Sequence, residues 1–201
     1  MSEGLGTASA PPAGVAASKD AGTAVSKDAA VAASKITAWL AVAAGAIGVL
    51  AALLRFGFSS EGLVTAALIG SLGVLAVFDF REQVVPNLIV LPAAALVLGL
   101  QLALFSDHAV EWILASVITC GALLAISTFK HDSLGAGDAK VGLILGAGLG
   151  VDVAYAILIG VIALWPFAAY LVFTEGVDAR KKAIPLVPAL ALGAAVVALG
   201  S

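Results

Sequence analysis

The chain has 201 residues, 62% of them hydrophobic and 11% charged, with a mean hydropathy of +1.13 and a formal net charge of −3. Soluble domains carry about a quarter charged residues, so a soluble globular protein is excluded. A single cysteine, Cys120, lies inside an apolar run, which excludes an intrachain disulfide and a thiolate zinc site and marks it as a small packed residue.

Residues 1–35 are rich in Ala, Ser, Gly, Lys and Asp, and they repeat imperfectly as Ala17-Ser18-Lys19-Asp20-Ala21, Val25-Ser26-Lys27-Asp28-Ala29 and Ala33-Ser34-Lys35. No large apolar residue recurs there to offset the entropy of ordering, so a disordered or weakly helical cytosolic tail is expected. The long apolar segment that follows, with no cleavage pattern after it, argues against a signal peptide.

From Ile36 onward, stretches of roughly 20 apolar residues recur, each long enough to cross about 30 Å of hydrocarbon. They predict an all-α polytopic bundle of about seven transmembrane helices over 36–54, 61–79, 87–105, 109–128, 139–150, 151–173 and 183–200. The fifth and sixth come from one apolar stretch, Ala139 to Phe173, too long for a single perpendicular span. Gly146, Gly148, Gly150 and Asp152 supply its break, and six helices is the alternative count. Glycines four apart, such as Gly142 and Gly146, suit close packing of helices through small residues. Trp39, Trp112 and Trp165 read as packing or interfacial anchors.

The cations orient this bundle. With seven helices and a cytoplasmic N-terminus, nine of the ten cations fall on the cytoplasmic side: Lys19, Lys27, Lys35, Arg81, Lys130, Lys140, Arg180, Lys181 and Lys182. Only Arg55 falls outside, where the loops carry Glu61, Asp107, Glu111 and Asp152. That asymmetry is the positive-inside pattern of a multi-pass plasma-membrane protein. It also brings two aspartates to the cytoplasmic face: Asp79, after Val77-Phe78, and Asp138, in Ser133-Leu134-Gly135-Ala136-Gly137-Asp138-Ala139-Lys140.

Carboxylates beside hydrocarbon are costly and point to function. Two of them sharing one proton can hydrolyse a peptide bond: the ionised member takes a proton from water and the protonated one polarises the carbonyl. Close like charges push such a pair's pKa values apart, which keeps one acid protonated near neutral pH. Gly135 and Gly137 carry no side chain and let a substrate backbone come near. Asp138 also suits the cap of the next helix, Pro86 and Asn87 suit the start of the third, and Asp79 beside Arg81 suits a surface ion pair. His131 reads as a loop residue, Asp132 as a solvated loop charge, and Glu82 as a solvated charge that could also attract a basic leader. An acidic pair could instead relay protons or bind a cation in a transporter, but that class favours acids at mid-helix and an internal repeat, and neither is found.

Gly135-Ala136-Gly137-Asp138-Ala139-Lys140 matches Gly-x-Gly-Asp-x-Lys, and Asp79 is followed seven residues later by Pro86-Asn87. Together with Ala183-Ile184-Pro185-Leu186-Val187-Pro188, these segments resemble, in order, the motifs of the type IV prepilin and archaeal preflagellin leader peptidases, over roughly residues 61–200. The resemblance implies a membrane aspartyl protease with Asp79 and Asp138 as catalytic dyad and Gly135, Gly137, Lys140, Pro86 and Asn87 in support. Its substrates would be pilin-like or flagellin-like precursors with a short basic leader, cut at the cytoplasmic face. Larger relatives add a Cys-x-x-Cys domain and methylate the new N-terminus; one cysteine implies the peptidase-only form. A six-helix peptidase domain over 61–201 is then preceded by an additional helix and loop over 36–60. The lipid bilayer is the other expected partner, and no cofactor, metal or nucleic acid is expected.

Overall fold

The computed structural model describes residues 35–37, 39–82, 85–129, 136–175 and 186–200, without the side chains at 129, 136–138 and several positions from 167 to 175. Met1–Ala38 and Trp39–Ser201 are separate compact units. In the first, residues 35–37 are helical and the tail before them lies outside the described residues.

The second unit is helical throughout its elements. A helix over 39–56 (α1) leads through a left-handed turn at Gly57 (φ 66°) into α2, Ser60–Glu82. Then follow α3 (Asn87–Leu104), a 3-10 turn at Ser106–His108, α4 (Ala109–Phe129), α5 (Ala136–Leu149), a second 3-10 turn at Gly150–Asp152, α6 (Val153–Glu175) and α7 (Val187–Gly200). Among the described residues, five stretches are long and apolar enough to cross a membrane: Lys35–Phe56, Ser60–Glu82, Asn87–Leu104, Ser106–Thr128 and Ala139–Pro166. Val187–Gly200 is a shorter apolar helix. The molecule is a multi-pass helical membrane protein.

The boundaries follow local chemistry. Pro86 stands at the N-cap position of α3 with extended backbone, so Asn87 is its first helical residue, as the sequence suggests. The break expected between the fifth and sixth helices is the Gly150–Asp152 turn, where Gly150 adopts φ 55°. Three ends differ from expectation. The second helix runs a turn past Asp79 to Glu82, with no breaker before Pro86, and the fifth begins at Ala136 rather than Ala139. The last helix starts at Val187 rather than at 183, leaving Pro188 in the first turn, where a missing N–H is harmless.

Small residues bring the helices together. A Cβ on Gly142 would lie 3.0 Å from the Cys120 backbone, and one on Gly146 would overlap the Ala115 carbonyl, so α4 and α5 touch backbone to backbone. Ser116 Oγ donates to the Leu143 carbonyl across the same seam at 2.9 Å. Gly45, Gly48, Gly70 and Gly73 do likewise for α1 and α2, and Gly160 with Gly193 for α6 and α7. The common core joins Leu68, Leu72 and Leu75 of α2, Val90 and Val97 of α3, Val141, Ile144 and Leu145 of α5, and Val187 and Leu190 of α7. Large apolar side chains such as Ile113, Val117 and Ile118 of α4 and Leu158 and Ile162 of α6 point outward, as surfaces toward lipid require.

Candidate active site

Asp79 sits on the core-facing side of α2, only 5% exposed, one turn before that helix ends. Leu75, one helical turn earlier on the same face, is fully buried, so the periodicity that buries α2 carries the carboxyl inward with it. The carboxyl oxygen Oδ2 accepts the Val187 backbone N–H at 2.9 Å. The Leu186 backbone hydrogen-bonds the same side chain.

Those two amides open α7, whose first N–H groups have no partner inside the helix. The N-terminal end of a helix also carries the positive end of its macrodipole. Asp79 therefore closes the start of α7 from across the bundle, over a sequence separation of 108 residues. This is no exposed ion-pair position: the carboxyl is taken from water and given two backbone donors.

The second cluster ties the two sequence motifs together. Lys140 Nζ donates to Asn87 Oδ1 at 2.7 Å. Lys140 lies in the first turns of α5, and Asn87 is the first residue of α3. The bond thus joins the helix that bears Asp138 to the Pro86-Asn87 corner that follows Asp79. Beneath it, Ala139 and Val141 of α5 are fully buried, Val141 in the core shared with Leu75 and Val187.

Asp138 and Gly137 fall within the first turn of α5, not before it as a cap. Their side-chain environment, together with Gly135, His131 and Asp132, lies outside the described residues. Of the expected site residues, Lys140 and Asn87 are brought into contact, Pro86 sets the helix start beside them, and Asp79 is turned into the core. Sequence reasoning missed the role of the Leu186 and Val187 amides. The signal was present in Pro185 and Pro188, which mark a helix start, but nothing local says which acid will meet it.

Residues 66–175, just over half of the chain, match the type IV leader peptidase family. The chain belongs to that family. The Bacillus subtilis (strain 168) protein "Prepilin leader peptidase/N-methyltransferase" is 30% identical over 163 residues, which is 79% of this chain and 60% of that protein. The chain therefore spans about three fifths of that relative's length. No solved structure matches. The family match takes in Asp79, Pro86, Asn87, Asp138 and Lys140, whereas the α7 start that holds Asp79 lies beyond it.

Proposed function

We propose that this chain is an intramembrane aspartyl endopeptidase that removes the short basic leader from type IV prepilin-like or preflagellin-like precursors at the cytoplasmic face. The observation that carries the reading is the buried Asp79 carboxyl at one end of a bundle where Lys140 of the Gly-x-Gly-Asp-x-Lys helix is bonded to Asn87 of the Pro-Asn corner. Family membership supports it.

Asp79 and Asp138 share one proton in this scheme. The ionised carboxylate removes a proton from water, whose oxygen attacks the scissile carbonyl carbon while the protonated partner donates to the carbonyl oxygen. The resulting tetrahedral diol collapses as a proton passes to the amide nitrogen and the C–N bond breaks. No covalent enzyme intermediate forms. A short cationic leader suits this end of the bundle because Glu82, exposed one turn beyond Asp79, presents an acid there.

The test is direct. Membranes carrying the chain, incubated with a prepilin-like precursor, should convert it to a product that begins at the hydrophobic helix, as read by N-terminal sequencing. An intact precursor, or a cut elsewhere, would overturn the reading. Orientation has its own test, with single cysteines introduced by Arg81→Cys, Gly135→Cys and Asp107→Cys on a Cys120→Ala background. The first two should react with an impermeant thiol reagent only from the cytoplasmic side and the third only from the opposite side. Reaction of the first two from opposite sides would remove a common catalytic face.

A further inference from the structure

The end of the bundle away from Asp79 holds a cavity that no part of the proposed chemistry uses. From Glu61 to Asp79, α2 rises about 27 Å at 1.5 Å per residue. Around Glu61, the start of α2, the ends of α3 and α7, the start of α4 and the turn after α5 line a half-open cavity of about 280 Å³. Gln101 and Trp112 line it, and each has a buried polar atom without a partner, Gln101 Oε1 and Trp112 Nε1.

Gln101 is a polar residue within the apolar interior of α3 and only 3% exposed. Its Nε2 donates to the Gly148 carbonyl at 3.4 Å, which leaves the oxygen unused. The indole is held in place by Gly150: a Cβ there would lie 2.5 Å from the Trp112 ring, and the left-handed φ of 55° favours glycine as well. Glu61 and Asp152 add exposed carboxylates to the lining.

The lining residues thus carry two exposed carboxylates, one buried acceptor and a single buried donor. Buried polar groups are nearly always satisfied, and hydrocarbon satisfies neither of these. A matching ligand needs a cation that can donate hydrogen bonds, beside an oxygen that can accept one. We propose that the cavity binds a primary ammonium group carried next to a phosphate oxygen, the chemistry of an ethanolamine phospholipid headgroup or of free phosphoethanolamine. The ammonium donates to Gln101 Oε1 and lies near the Glu61 and Asp152 carboxylates, while the phosphate accepts from Trp112 Nε1. A choline headgroup has no N–H to donate, and a glycerol headgroup brings only negative charge to an acidic rim. This inference does not rest on the protease reading.

The experiment uses the full chain in non-ionic detergent with phosphatidylethanolamine, phosphatidylcholine or phosphatidylglycerol in mixed micelles, and free phosphoethanolamine in a separate arm. Native mass spectrometry should retain one phosphatidylethanolamine per chain, at least about tenfold more tightly than phosphatidylcholine, because the choline analogue leaves the amide oxygen unpaired. Gln101→Leu and the milder Trp112→Phe should each remove that preference, with far-UV circular dichroism showing that both variants remain helical. Displacement by free phosphoethanolamine would assign the headgroup alone as ligand; its failure to displace would assign the lipid. Equal retention of the ethanolamine and choline lipids by the wild type overturns the proposal and leaves a water-filled cavity. Undiminished preference in folded Gln101→Leu and Trp112→Phe overturns it too.

Discussion

Asp79→Asn is expected to slow leader removal at least about a hundredfold, the lower range for losing a general acid or base. The amide oxygen of the substituted side chain can still accept the Val187 N–H that Oδ2 accepts at 2.9 Å, so the start of α7 stays closed. Activity should fall while the thermal unfolding midpoint stays near that of the wild type. A role limited to capping α7 predicts the reverse: normal cleavage in Asp79→Asn, and lost stability only when the acceptor itself is removed, as in Asp79→Leu. Asp138→Asn should lose activity to a similar degree. The double variant should be little worse than either, since groups that act as one unit are not additive. Asp132→Asn and His131→Ala should keep most of the rate. The measurement is the initial rate of precursor conversion on gels, beside a melt of each purified variant. Wild-type rates in either single asparagine variant would remove the dyad.

Gly146→Ala should destabilise the protein by about 2 kcal/mol, in the range for overpacking a close interface. The added methyl overlaps the Ala115 carbonyl and comes to 2.5 Å from Ser116 Cα, which is backbone and cannot swing aside. Alanine in place of glycine inside a helix is normally worth about 1 kcal/mol in the favourable direction, so the sign of the result reports the contact. Gly121→Ala on α4 is the matched control, because nothing lies within 4 Å of a Cβ built there. It should leave the midpoint unchanged or raise it, whereas Gly146→Ala should lower it. Because α5 also bears Asp138 and Lys140, Gly146→Ala should reduce cleavage as well, through displacement of that helix. Equal midpoints for the two variants would mean that α4 and α5 do not meet at Gly146.

The apolar spans were legible because a membrane imposes length and hydropathy on every crossing segment. Helix starts were legible where a residue fixes the backbone, as Pro86 does ahead of Asn87. Gly142 and Gly146, four apart, announced a close seam but not its partner; that seam faces Cys120 and Ala115 of α4. Helix ends were less legible. Asp79 was expected at a terminus and lies a turn inside it, because a charged residue does not stop a helix when its neighbours continue the pattern. Gln101 and the anchor residue Trp112 could not be singled out from the sequence, since the absence of a partner for a polar atom is a property of its surroundings.

By itself the sequence determined the solvent, the all-helical class and the two acidic motifs, for these depend on composition and on residues close together along the chain. Tertiary structure alone decided what Asp79 touches. The carboxyl meets the Val187 amide 108 residues away because α2 and α7 pack through a shared core, and no local pattern encodes which helix start comes to rest beside which acid. The same holds for Lys140 and Asn87, each unremarkable alone and joined at 2.7 Å once α3 and α5 are side by side. Helix identity is a local consequence of hydropathy, whereas the pairing of polar groups inside the bundle follows from packing, which is settled over the whole chain at once.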